Sequence, residues 1–185
     1  LHLSLRRQRQ MCIRDRAAWQ ALPPEPWKNG GGVTRTLAVD GQAAVPRWRV
    51  SIADIQQDGP YSRFPGYDRV SVVLSGQGVA LHGEGAALDL LPGVPTAFAG
   101  DLALQSRLLG GPVRVLNLFV LRGAVQATVS CAGSAQAALV VGGLPAVPAA
   151  VEAFGIRVDV GAGPLAKGGE EAVLLDLRVA ALPAA

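Results

Sequence analysis

Arg69-Val70-Ser71-Val72-Val73-Leu74-Ser75-Gly76-Gln77-Gly78, followed at a short interval by Leu91-Pro92-Gly93-Val94-Pro95-Thr96-Ala97-Phe98, decides the fold. The first stretch is a run of β-branched and aliphatic residues that stops in a Gly-x-Gly turn. The second places a Pro-Gly-x-Pro turn directly before another strand. Working outward, the same rhythm recurs on both sides. Val33, Arg35, Leu37 and Val39 alternate with Thr34, Thr36 and Ala38, and Asp40-Gly41 supplies a turn. In residues 47–53, Trp48, Val50 and Ile52 share one face while Arg49 and Ser51 lie on the other. Strands are expected at residues 79–82, 86–90, 102–108 and 113–120, punctuated by Pro92-Gly93, Gly110-Gly111-Pro112 and Arg122-Gly123. No long helical period interrupts them, so the expected architecture is all-β, closed or sandwiched.

Residues 124–185 repeat the theme more faintly, with strands expected at 124–129, 137–141, 156–160 and 172–179 and a Gly/Pro-rich loop at 142–149. This divides the chain into a main barrel at residues 17–123 and a second, smaller barrel-like half at 124–185 packed on the first. Residues 1–16 read as a non-native leader joined to a truncated start, with an amphipathic basic helix as the alternative, and are set aside from the fold.

Half of the 185 residues are apolar and 17% are charged, as in an ordered globular chain. The pI of 9.3 comes from the leader. Residues 1–16 carry five arginines and one aspartate, a net of +4 against +3 for the whole chain, which leaves −1 for the rest. A nucleic-acid footprint therefore has no support. The two cysteines, Cys12 and Cys131, form no disulfide or metal-type spacing and suit a reducing cytoplasm. The apolar stretch 132–150 is broken by Gly142, Gly143, Pro145 and Pro148, so no membrane span is expected.

Residues 59–78 with the Pro-Gly-x-Pro turn have the layout of a cupin, a jelly-roll barrel. Metal-binding cupins carry a His-x-His pair and a Glu in the first element and a further His after the Pro-Gly turn. Here the first region reads Phe64-Pro65-Gly66-Tyr67-Asp68-Arg69, and Thr96 stands near the later position. The histidines are His2 and His82, the latter in a hairpin beside Gly83 and read as a plain exposed residue. No metal or other cofactor is expected. A Ser-His-Asp set cannot be assembled either, and no Gly-x-Ser-x-Gly elbow exists. Cys131 reads as a buried or loop thiol.

The stretch Pro26-Trp27-Lys28-Asn29-Gly30-Gly31-Gly32-Val33-Thr34-Arg35 surrounds three glycines with donors and cations that could hold an anion. It is not a phosphate loop, because the lysine precedes the glycines. Asn117 interrupts the apolar strand Val113-Arg114-Val115-Leu116-Asn117-Leu118-Phe119-Val120 and needs hydrogen-bond partners, as a pin for a neighbouring loop or as part of a ligand cavity. Taken singly, Arg35 and Arg69 read as strand-surface charges, Lys28 as a solvated loop lysine, and Asp58-Gly59-Pro60 and Asp101 as turn formers. Trp27 and Trp48 read as core or lid residues, and Phe64-Pro65-Gly66 as a loop across the barrel mouth. Together the cations and donors converge on one mouth.

These residues resemble the HutD/Ves family. The likeness rests on Trp27-Lys28-Asn29-Gly30-Gly31-Gly32-x-Thr34-Arg35, Trp48-Arg49-Val50-Ser51-Ile52-Ala53 and Asp58-Gly59-Pro60-Tyr61-Ser62-x-Phe64-Pro65-Gly66-Tyr67-Asp68-Arg69. Phe98-x-Gly100-Asp101 and Gly111-Pro112-Val113-x-x-x-Asn117 complete it. One departure is the single Arg122, where a doubled basic pair is common in the family. The resemblance implies a metal-free cupin with two barrel-like halves, tied to histidine utilisation and binding an acidic intermediate such as N-formylglutamate.

The expectation is a non-enzymatic cupin that binds a small carboxylate. Lys28 and Arg35 would neutralise it, Arg69 would add a further cation, and Asn29, Thr34, Ser51 and Asn117 would orient it. The alternative is a metal-free isomerase or hydrolase with Asp58 or Asp68 as general base. A protein-interaction module is a third reading. A homodimer is compatible with any of them.

Overall fold

From Arg69 to Leu74 the strand β6 (Tyr67–Ser75) is buried without a break. A strand with one wet face alternates, so continuous burial requires a layer on each side. The structure, a computed structural model, describes residues 11–13, 19–40, 45–83, 85–131, 139–141, 154–159 and 174–181. It supplies both layers.

The sheet holding β6 has six strands, in the order β2 (Glu25–Pro26), β3 (Gly32–Val39), β4 (Trp48–Ile55), β11 (Val113–Leu121), β6 and β9 (Thr96–Ala99). Every neighbouring pair is antiparallel. A second, four-stranded sheet has the order β5 (Gly59–Tyr61), β10 (Leu104–Leu108), β7 (Val79–Gly83) and β8 (Ala86–Leu90), again antiparallel. The chain switches between these two sheets at most of its turns. Their facing sides share one apolar interior, built from Ala53, Ile55, Val73, Val113 and Val115 of the first and Tyr61, Val79, Leu81, Leu90 and Leu104 of the second.

The opposite face of the six-stranded sheet carries Trp48, Val50, Ile52, Val70, Val72, Leu74, Leu116, Leu118 and Val120. Leu37 of β3 adds to this face, and Trp19 and the inward residues Val125, Ala127 and Val129 of β12 (Val125–Cys131) cover it. Each fully buried Val, Leu or Ile contributes roughly 1.5–3 kcal/mol, whereas an exposed ion pair contributes about 0–1 kcal/mol. Apolar packing on both faces, not the rim pair Arg122–Asp68, therefore holds the layers together.

β12 belongs to a third sheet, in the order β1 (Met11–Ile13), β14 (Phe154–Asp159), β15 (Leu174–Ala181), β12 and β13 (Leu139–Val141). β1 is its edge strand, paired parallel with β14, and falls within the segment set aside as a leader. The strands expected after residue 124 are present as β12–β15. Among the described residues they form this single sheet, so the second barrel-like half is not seen as a barrel. The loop at 142–149 lies outside the described residues. No helix among the described residues is long and apolar enough to cross a membrane.

Two expectations need correction. Val39 was placed on the face of Leu37, yet Leu37 is buried and Val39 exposed. A bulge after Thr36 inserts one residue against β4 and shifts the alternation beyond it. Gly59-Pro60, read within a turn, is strand β5. It is an edge strand, where the N–H that proline lacks is not needed.

Candidate binding site

The hairpin between β2 and β3 shows why three glycines stand together. Gly30 has φ of 70°, the left-handed conformation that closes the turn, and its N–H donates to the Trp27 carbonyl at 3.0 Å. A Cβ on Gly32 would lie 2.5 Å from the Asp54 carbonyl oxygen and 3.1 Å from the Trp27 ring. The run thus lets the hairpin lie against β4 with the Trp27 indole flat over it. The indole Nε1 donates to Thr34 Oγ1 at 2.8 Å. Asn29 Oδ1 accepts from the Gly31 N–H at 3.0 Å, which uses that oxygen inside the turn.

On the interior face of the six-stranded sheet, strand register sorts side chains into rungs. One rung is apolar, with Ala53, Val115 and Val73 side by side. The next is wholly polar: Thr36, Ser51, Asn117, Ser71 and Thr96 are successive register partners across five strands. The outermost alternates cation and ring, as Arg49, Phe119, Arg69 and Phe98. A cavity of about 60 Å³ opens at these two upper rungs, lined also by Trp27, Thr34, Tyr61, Ser62 and Phe64. It has room for a few waters or one carboxylate group.

Asn117 is the hub. Its Oδ1 accepts from Ser71 Oγ at 2.7 Å, Arg69 Nη2 at 3.0 Å and the Tyr61 hydroxyl at 3.4 Å. A guanidinium only donates, so the amide oxygen must face it. Among the described residues the Asn117 NH2 and the Ser51 hydroxyl have no protein partner, although both side chains line the cavity and both residues are buried.

Arg69 is 4% exposed. Its Nη1 donates to the Ser62 carbonyl at 3.0 Å, and its Nε is buried with no partner. The guanidinium carbon lies 4.3 Å from the centre of the Tyr61 ring, 4.7 Å from Phe119, 5.1 Å from Phe98 and 5.4 Å from Phe64. Among the described residues it pairs with no carboxylate. Burial pushes its pKa below the usual arginine value, and the Tyr61 hydroxyl partly offsets this through charge and hydrogen bonding. Arginine nevertheless stays protonated at neutral pH. The aromatic faces return only part of the lost hydration, so the site holds a desolvated cation without an anion.

Above the cavity lies an open cleft of about 460 Å³, which shares Trp27, Thr34, Arg49, Ser62 and Phe64 with it. Lys28 and Asn29, exposed at the hairpin tip, line this outer part. Arg49 reaches over its edge, with Nη2 3.1 Å from Glu25 Oε2 and 2.7 Å from Thr36 Oγ1.

Of the residues expected from sequence, Thr34, Ser51, Arg69 and Asn117 meet at the cavity, and Lys28 and Asn29 stand at the cleft above it. Arg35 is not brought to it. Its register partner is Ile52, on the opposite face of the sheet, and its Nη1 donates to Asp54 Oδ2 at 3.3 Å. Arg114 Nε binds the other oxygen of Asp54 at 2.6 Å, and the Arg114 guanidinium lies 4.6 Å from the centre of the Trp19 ring. Successive strand residues point to opposite faces, so Thr34 and Arg35 could not both face the cavity. Asp58 accepts from the Leu108 N–H, and Asp68 and Asp101 bind Arg122, all away from the cavity. His82 is exposed on β7. Tyr61, Phe64, Ser71 and Phe119 line or support the cavity and were not among the residues expected to hold a ligand. Arg49, a polar candidate on the same strand face as Ser51 but given no ligand role, lines it as well.

The sequence model of the HutD family matches residues 19–164, most of the chain. The chain belongs to the HutD family. A protein of the hutC 3′ region from Pseudomonas putida, described as an uncharacterized 21.2 kDa protein, is 42% identical over 102 residues, 54% of either chain. Protein Ves from Citrobacter koseri is 36% identical over 114 residues, 60% of either chain. This HutD-family chain thus spans somewhat over half the length of the curated relatives it matches. Among solved structures, HutD from Pseudomonas fluorescens SBW25 superposes with a TM-score of 0.58 at 25% identity, over 89% of this chain and 96% of that one. A conserved protein of unknown function from Pseudomonas aeruginosa PAO1 shares the fold, with a TM-score of 0.52 at 24% identity over 88% and 89%.

Proposed function

We propose that this HutD-family chain is a non-enzymatic, cupin-type protein of the cytoplasm that binds a small carboxylate. Its role is accessory or regulatory in histidine utilisation, and its ligand is an acidic intermediate such as N-formylglutamate. The observation that carries this reading is Arg69, a buried guanidinium that faces a small cavity with no carboxylate among the described residues to balance it. A ligand carboxylate would supply the missing charge. It would also meet the free Asn117 NH2 and Ser51 hydroxyl, so a rung of donors would take an acceptor. The link to histidine utilisation is supported by family membership and by the Pseudomonas putida relative, whose description places it beside hutC.

Calorimetric titration of N-formylglutamate into the full chain tests this. Saturable binding is expected, weakened about 30-fold or more in Arg69→Gln, since truncating one partner of a buried charge pair costs about 2–5 kcal/mol. No heat of binding, or equal affinity in the variant, contradicts it.

A further inference from the structure

Arg49 is the second cation lining the cavity, and unlike Arg69 it already holds an anion. That anion is unusual in its position. Glu25 belongs to the two-residue edge strand β2, its side chain is 53% exposed, and it lines the open cleft rather than the interior. Its second oxygen accepts from Thr36 Oγ1 at 2.7 Å, and the same hydroxyl oxygen accepts from Arg49. Register sets the two arginines on one rung with Phe119 between them, two strand spacings apart, which is roughly 10 Å between backbones. An acid seated on Arg69 and extending into the cleft passes Arg49 at that distance.

We propose that Glu25 occupies Arg49 in place of a second ligand carboxylate and yields it when a dicarboxylate binds. This rests on the carboxylate reading of Arg69 and adds a selectivity to it. The site then prefers acids with two carboxylates separated by two or three carbons, because such acids span the two guanidinium groups. A monocarboxylate engages Arg69 alone and leaves the Arg49–Glu25 pair intact. The exchange is favourable because Glu25 is half exposed, where its bond to Arg49 is worth little, while the methylene chain of the ligand also covers the Phe119 and Phe64 rings.

Glutarate and butyrate, which keeps the three-carbon chain of glutarate and lacks its second carboxylate, are the probes, titrated calorimetrically into the full chain. Glutarate is expected to bind about tenfold tighter than butyrate. In Arg49→Gln the preference should disappear, with glutarate and butyrate binding within about twofold of each other. In Glu25→Gln glutarate should tighten by roughly threefold or more while butyrate stays the same. Arg49→Lys, which keeps the charge but not the fork, should retain part of the preference, and thermal melts confirm that each variant is folded. Glutarate binding no tighter than butyrate, with both lost in Arg69→Met, overturns the exchange and leaves the Arg69 site standing. Equal weakening of both acids in Arg49→Gln makes Arg49 a structural residue and overturns it as well. Binding of neither acid to the wild-type chain removes the Arg69 reading and the exchange together.

Discussion

Arg69 and Arg35 lie on opposite faces of the same six-stranded sheet, and the sequence places both in strands beside glycine-containing turns. Arg35 has Asp54 within 3.3 Å, shares it with Arg114, and keeps a fifth of its side chain in contact with solvent. Arg69 is almost wholly buried and has rings, a carbonyl and an amide around it, but no carboxylate among the described residues. Each has a buried Nε without a partner. The two arginines differ in their counter-charge. Arg35 completes an ion pair within the fold, whereas Arg69 has none among the described residues, which is why the proposed ligand is seated on Arg69.

If the polar rung across the interior supports Arg69 as described, its hub should be the most sensitive position. Asn117→Leu takes the acceptor from Arg69, Ser71 and Tyr61 at once, and about 2–4 kcal/mol of stability should be lost in urea unfolding, together with carboxylate binding. A loss of stability without a loss of binding would separate the rung from the site. Gly32→Ala comes next. Its Cβ would press on the Asp54 carbonyl and the Trp27 ring, at about 1–3 kcal/mol, and indole fluorescence should report displacement of Trp27. Arg35→Gln should have the smallest effect, below about 1 kcal/mol and with affinity unchanged, because its pair is partly exposed and Arg114 still holds Asp54. A marked drop in affinity in that variant would erase the contrast between the two faces.

Much of the fold was legible because strand punctuation was strong. The turn Gly76-Gln77-Gly78 separates β6 from β7 where the pattern placed it, and β3, β4, β8 and β11 begin and end within a residue or two of expectation. The misses have local causes. The bulge in β3 adds one residue that no alternation pattern reveals, and it turns Val39 outward. Pro60 looked like a turn because its tolerance at a sheet edge depends on which strand lies beside it, a tertiary fact.

The site was partly legible. The donors Thr34, Ser51 and Asn117 and the cation Arg69 were readable as polar residues in apolar strands. Parity along β3 already set Thr34 and Arg35 on different faces, and parity along β4 already joined Arg49 to Ser51. Which face enclosed the cavity was not readable, because it depends on the sheet packed opposite. Tyr61 ends the three-residue edge strand β5 and Phe64 lies in the loop after it, and neither segment is long enough for periodicity to aim a side chain. The aromatic cage around Arg69 therefore emerged only from the assembled fold.

Arg69→Met tests the unpaired cation most directly, by measuring unfolding free energy and carboxylate affinity on the same preparation. Replacing a buried, uncompensated charge with an apolar side chain of similar length should leave stability unchanged or raise it by up to about 2 kcal/mol, while binding disappears. A variant that is several kcal/mol less stable yet binds the acid as tightly as before would show that Arg69 serves the fold and not the ligand.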